Sequence, residues 1–162
     1  MTAVARTQEQ PRWLTDDEQL VWRAFVPMLQ QLPAAFDRQL QRDAGIPHTY
    51  YMILAMLSEA PGQALRMSEL ADLTTTSQSR LSHAVARLEE QGWVERRPCP
   101  TDKRGQVALL TAAGFLRLAE LAPGHVAEVR RIVIDGLTPA QLDALREIAS
   151  IITSRIPEVE PG

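Results

Sequence analysis

Apolar residues recur along most of this chain at three- and four-residue steps, the spacing of helices that bury one face. Trp22, Phe25, Leu29, Leu32, Phe36 and Leu40 form the first such stripe. Thr15 and Glu18 precede it as a T-x-x-E capping box, and Gly45 and Pro47 close it, which predicts a helix over about 15 to 43. Pro27 and Pro33 fall inside the stripe. Each removes a backbone hydrogen bond, at a cost of about 3 kcal/mol in a regular interior, so this helix is expected to be bent or interrupted. HTYYMILAMLSE, residues 48–59, reads as a mostly buried helix closed by Pro61 and Gly62. Leu65 and Met67 fit a very short strand, after which Ser68 caps SELADLT, with Leu70 and Leu73 facing inward.

The next helix starts at Ser77, whose hydroxyl can accept from the open N–H groups of the first turn; Thr76 offers the same one residue earlier. Leu81, Ala84, Val85 and Leu88 follow at i, i+3, i+4 and i+7, and Gly92 supplies a stop. WVERR and QVALL are β-prone runs separated by PCPTDKRG, read as a turn and loop with Lys103 and Arg104 at its tip. A helix begins at Thr111 and is expected to break at Pro123 and Gly124 and to resume as HVAEVRRIVIDG. The last helix is announced by LTPAQ, with Thr138 at the cap, Pro139 at the first helical position and Gln141 completing the box. Leu142, Leu145, Ile148, Ala149 and Ile152 then line one face as far as Arg155.

The pattern predicts a mostly α protein with a small β-wing. A winged helix-turn-helix covers about 48–111, and a helical layer is built from about 15–43 and 111–156. Residues 1–14 are expected to form a flexible arm and 15–162 a single domain. The apolar stripe of the first helix needs a partner surface, and a second subunit is the natural one; packing within one subunit is the alternative.

Composition narrows the function classes. With 45% hydrophobic and 23% charged residues the chain is an ordinary globular protein. Its longest apolar run, YYMILAML, is too short to cross a bilayer, and the first fourteen residues carry no secretion signal, so no membrane partner is expected and the cytoplasm is the expected compartment. One cysteine, Cys99, excludes an intrachain disulfide and a cysteine-rich zinc site, and His48, His83 and His125 are too scattered to suggest a metal. No paired carboxylates, nucleophile motif or glycine-rich phosphate loop is present, so neither enzymatic chemistry nor a cofactor is expected.

Charge sharpens the picture around the helix at Ser77. From 76 to 105 six cations, Arg80, Arg87, Arg96, Arg97, Lys103 and Arg104, face four carboxylates, so this segment is +2 while the remainder of the −3 chain is −5. The polar face of the helix carries Gln78, Ser79, Arg80, Ser82, His83 and Arg87, suited to a groove lined by phosphates. Arg80 or His83 can reach a guanine edge, although phosphate contact is the commoner role for either. Arg87, Arg96, Arg97 and Lys103 are candidate phosphate contacts or free surface charge. Arg104, on a loop beside that helix, can enter the adjacent minor groove, with Asp102 as its brace. An ordinary solvated surface helix is the competing interpretation.

The order of elements, together with MSELAD, RLSHAVARLEEQGWVERRP and the D-x-R…V-x-L-L-T-x-A-G string at Asp102, Arg104, Val107, Leu109, Leu110, Thr111, Ala113 and Gly114, resembles the multiple-antibiotic-resistance regulator (MarR) family over about residues 15–155. The resemblance implies a homodimeric winged-helix transcriptional regulator, commonly a repressor, that binds a palindromic operator in double-stranded DNA and is released by a small phenolic or lipophilic ligand. Carried over, Ser77 to His83 form the major-groove end of the recognition helix and Arg104 is the wing arginine. Gly105 and Gln106 stand where many relatives have further charge, which implies a weaker grip by the wing.

Trp22, Phe36, His48 and Tyr51 combine apolar bulk with polar tips and are candidates for a ligand pocket, with core packing as the alternative. Cys99 invites a redox role beside the wing, but no second cysteine is available in the chain to resolve a sulfenic acid. A ligand-binding or protein-docking module on a winged fold without DNA binding is the alternative to a DNA reader.

Overall fold

The computed structural model describes residues 11–99 and 102–157, apart from the side chains of Lys103 and Arg104. Helix α1, Asp16–Ala44, starts at the expected box. The Thr15 N–H donates to Glu18 Oε2 at 2.8 Å and the Glu18 N–H to Thr15 Oγ1 at 3.3 Å. Three acidic residues in its first turn face the positive end of the helix dipole. Contrary to the expected interruption, α1 is continuous through Pro27 and Pro33. A proline removes one bond from its helix, but its fixed φ is itself helical, so the surrounding bonds can carry it.

The chain parts into two compact units between Ala35 and Phe36. In the first, Leu20, Val21, Trp22, Met28 and Leu29 of α1 are exposed, and Trp22 lies beside Phe25 with ring centroids 6.5 Å apart.

The second unit holds the core. Helix α2, His48–Glu59, has Pro47 at its cap position and no side-chain cap of its own. The His48 N–H donates instead to Asp37 Oδ1 of α1, at 2.8 Å. Ile53, Leu54 and Leu57 of α2 meet Leu40 of α1, Leu70 and Ala71 of α3 (Met67–Leu73), Leu81, Val85 and Leu88 of α4 (Gln78–Glu90) and Leu118 and Leu121 of α5 (Ala112–Val129). Each fully buried leucine stabilises by roughly 1.5–3 kcal/mol. Two expectations for α3 are corrected. Its cap is Arg66 and not Ser68, two residues early, with the Arg66 N–H bonded to Glu69 Oε2 at 3.2 Å, and Leu73 is 53% exposed. A seven-residue helix shows the core little more than one turn, and Leu70 with Ala71 fills it.

Strands β1 (Ala64–Arg66), β2 (Val94–Cys99) and β3 (Asp102–Leu110) form an antiparallel sheet in the order β1-β3-β2. Cross-strand pairing draws into strand residues that the sequence suggested were loop. Pairing passes from Pro98↔Gln106 to Cys99↔Asp102, so Lys103, Arg104 and Gly105 are extra residues on β3, a bulge. Pro98 is tolerated because β2 is an edge strand.

Helix α5 also departs from expectation, running unbroken through Pro123 and ending in a π-helical turn, Arg130–Ile134. Tertiary packing holds it: a Cβ at Gly124 would lie 3.6 Å from Gln39 Nε2, and His125 beyond it is buried. Helix α6, Pro139–Thr153, carries the expected Thr138–Gln141 box but no buried residue. Among the described residues no helix is long and apolar enough to cross a membrane.

Candidate nucleic-acid interface

Helix α4 is held at both ends by its own sequence. Ser77 Oγ accepts from the Arg80 N–H at 3.4 Å, which selects Ser77 over Thr76 as the cap. At the other end Gly92, at φ +73°, closes the helix through bonds from the Trp93 N–H to the Leu88 carbonyl, 2.9 Å, and from the Gly92 N–H to the Glu89 carbonyl, 2.8 Å. Leu81, Ala84, Val85 and Leu88 are buried, so a 100° step per residue puts Ser79, His83, Ala86 and Glu90 along the opposite ridge. Ser79, His83 and Glu90 are exposed.

A cleft flanks the ridge on each side. The larger, about 690 Å³, takes Ser77, Arg80, His83 and Arg87 from α4 and faces Thr49 and Tyr50 of α2. The smaller, about 290 Å³, takes Gln78 and Ser82 from α4 and faces Ser68, Asp102 and Gln106. The six polar side chains singled out on α4 are thus divided between a crest and two flanks, which the sequence alone did not separate.

The turn before α4 is built by α3. The Thr76 N–H reaches the Ala71 carbonyl at 2.9 Å and the Thr75 N–H the Asp72 carbonyl at 3.0 Å, with Thr75 left-handed at φ +51°. Thr74 Oγ1 donates to the Leu70 carbonyl at 2.6 Å.

On the wing, the arginines separate by role. Arg96 is a strut: its N–H and Nε reach Glu89 Oε1 and Oε2 at 2.8 and 2.7 Å, and both side chains are 26% exposed. That uses the guanidinium considered above as a phosphate contact. Arg97 is exposed and forks onto Glu95 at 2.8 and 3.0 Å, which holds that carboxyl below its usual range. The backbone of Lys103 and Arg104 lies in the bulge of β3; their side chains, and with them the bracing of Arg104 by Asp102, fall outside the described residues. Asp102 itself leans over Gly105, where a Cβ would stand 3.0 Å from its Oδ2. Cys99 is buried, which withholds its thiol from oxidants.

Of the ligand candidates, Phe36, His48 and Tyr51 come together around His125, which the sequence left scattered. Ring centroids are 4.2 Å for Tyr51–His125, 5.2 Å for Phe36–His125 and 5.4 Å for His48–His125. Trp22 belongs to the other unit and is 55% exposed. Gln39, also buried, gives Nε2 to Asp43 Oδ2 at 2.9 Å, leaving Oε1 to accept from His125 Nδ1 at 3.2 Å. Burial holds both histidines below their usual pKa, and the His48 charge lowers His125 further. Thr49, Tyr50 and Gln39 are residues that sequence reasoning passed over, and His125 entered it only as one of three scattered histidines. Only Gln39, a polar residue directly before the buried Leu40, carried a local signal.

A short helix, a turn, a capped helix with an exposed polar ridge and a bulged antiparallel hairpin define a winged helix-turn-helix. A family model described as MarR family matches residues 44–105, from the end of α1 into β3. Sco3205, a MarR family transcriptional regulator from Streptomyces coelicolor solved in complex with DNA, is 53% identical, with 94% of this chain and 96% of that chain covered and a TM-score of 0.86. AbsC, a MarR family transcriptional regulator from the same organism, is 41% identical, covering 90% of this chain and 100% of that chain, with a TM-score of 0.78. The transcriptional repressor MprA of Escherichia coli (strain K12) is 28% identical over 116 residues, 72% of this chain and 65% of its own length. The chain therefore belongs to the MarR family of transcriptional regulators. Each of these relatives is described as a transcriptional regulator or repressor.

Proposed function

We propose that this chain is a sequence-specific DNA-binding repressor that grips a palindromic operator as a homodimer and is modulated by a small ligand. The observation that carries this reading is the ridge of α4, flanked on both sides by polar clefts and followed by a wing whose bulge holds Lys103 and Arg104. Ser79 and His83 on the crest meet base edges, Gln78, Arg80, Ser82 and Arg87 the flanks of the major groove, and Arg104 the minor groove beside it. Ser77 positions the helix, and Arg97 and Lys103 contribute positive charge along the wing. The DNA complex of Sco3205, at 53% identity, supports the same partner here. Such a reader works where the chromosome is, in the cytoplasm.

Dimerisation is supported by apolar surface that the single chain leaves open. Ile148, Ile151 and Ile152 of α6 are exposed, as are Leu20, Val21 and Trp22 of α1. A second copy covers such faces and sets two recognition helices about one DNA turn apart. The cluster of Phe36, His48, Tyr51 and His125 is the candidate site for a phenolic or lipophilic ligand, and Trp22 is retained as a candidate outside that cluster. The test is a mobility shift on the DNA upstream of the chain's own gene at fixed salt. Arg104→Ala and the Ser79→Ala/Arg80→Ala pair should each weaken binding; if neither does, the assignment of α4 and the wing as the reader is wrong.

A further inference from the structure

The far bank of the larger cleft has no role in the interface described so far. One bank is the Arg80–Arg87 flank of α4; the other is Thr49 and Tyr50 in the first turn of α2, with Thr75 and Thr76 at one end. A helix seated in the major groove has one sugar–phosphate strand running along each of its flanks. If the crest of α4 meets base edges, this cleft lies in the path of one strand.

Its chemistry suits a phosphate backbone. Thr49, Tyr50 and Thr75 line it together with two arginines, Arg80 and Arg87, while the Thr76 hydroxyl is spent on the Thr74 carbonyl and that of Ser77 on the cap of α4. Among the described residues lining it, the one carboxylate, Glu90, lies at the C-terminal end of α4 and is already 2.8 Å from Arg87. Tyr50 is half-buried with its ring packed on the core, on the bank of the cleft that faces Arg87. An anchored ring loses little freedom when its hydroxyl takes a ligand, which favours a positioning contact.

We propose that Thr49 and Tyr50 of α2, facing Arg87 across the cleft, hold the sugar–phosphate backbone of one DNA strand, so that α2 is part of the interface. This rests on the DNA-reading function proposed above and adds to it an element outside the helix-turn-helix and the wing. A phosphate contact strengthens binding to every sequence alike, whereas a base contact strengthens only the operator.

The experiment titrates the full-length chain and two variants, Thr49→Val/Tyr50→Phe and Arg87→Gln, against operator and random duplex over a salt series, with thermal unfolding of each as a check on the fold. Both substitutions in the first variant keep shape and packing. That variant should lose about tenfold in affinity on both duplexes with its salt slope unchanged, as expected for lost neutral donors. Arg87→Gln should also lose on both and lower the slope by about one. A Thr49→Val/Tyr50→Phe variant that binds like the parent, while Arg80→Ala weakens binding, overturns the role of α2 and leaves the reader intact. A loss confined to the operator overturns the phosphate assignment. A parent chain that shifts neither duplex overturns the DNA-reading function itself.

Discussion

Gly114, in the first turn of α5, lies so close to the backbone carbonyl of Trp93 that a Cβ at 114 would overlap the oxygen and stand 2.8 Å from Leu110 Cδ1. The contact closes a joint. The Thr111 N–H donates to that same Trp93 carbonyl at 3.0 Å, Thr111 Oγ1 to the Gly92 carbonyl at 2.6 Å, and the Gly114 N–H to Thr111 Oγ1 at 3.0 Å. The end of α4, the start of β2 and the start of α5 are thereby fixed to one another. Gly114→Ala forces backbone apart and should cost ~3 kcal/mol, measured by denaturant unfolding. A loss below the scatter of surface substitutions would mean that the joint is loose.

This joint also shows what was legible in the sequence. The caps at Thr15, Ser77 and Thr138 and the buried face of α4 depend on residues within one or two turns, so spacing revealed them. The continuity of α5 through Pro123 did not show, because it depends on Gln39 and His125 packing from elements 86 residues apart. The same distance hid the histidine cluster. The bulge that sets Lys103 and Arg104 apart follows from cross-strand register, which no local pattern encodes. Of PCPTDKRG, read as a turn and loop, Pro98 and Cys99 belong to β2 and residues 102–105 to β3, while residues 100 and 101 lie outside the described residues.

Thr75 is a β-branched residue in the left-handed region, at φ +51°. That conformation costs a branched residue roughly 1–2 kcal/mol, and Asn adopts it more readily. The two turn bonds, from Thr75 and Thr76, use only backbone atoms. Thr75→Asn should therefore raise stability by about 1 kcal/mol in thermal or denaturant unfolding. A destabilised variant would show that the Thr75 side chain makes a contact worth more than the strain it relieves.

Glu89 and Arg96 tie α4 to β2 through one backbone and two side-chain bonds of 2.6 to 2.8 Å. Truncating Arg96 takes the guanidinium from a half-buried Glu89 and leaves it only the backbone N–H of residue 96. Arg96→Ala should lower stability by about 1–2 kcal/mol while leaving the salt slope of DNA binding unchanged. Arg104→Ala should do the opposite, reducing the slope by about one with little effect on unfolding. Equal slopes for the two variants would mean that the division of these arginines into strut and contact is wrong.

His48 and His125 are held below the ordinary histidine value chiefly by burial; His48 lowers His125 further, while Asp37 and Glu128 oppose the shifts. The folded chain thus disfavours the charged imidazoles, and the unfolded chain binds protons first as pH falls. Stability is therefore complete above about pH 6.5 and declines below it, because the unfolded state there holds more protons. The carboxylates held low by partners, Asp43, Glu95 and Glu128, contribute their own loss only below about pH 4.5. Between those limits the histidines dominate. The melting temperature should be level above about pH 7 and fall between about pH 6.5 and 5. The His48→Gln/His125→Gln variant should start lower, having lost the ring packing around Tyr51, and should fall less steeply. A parent and variant with parallel pH profiles would show that protonation of this cluster is not what destabilises the fold.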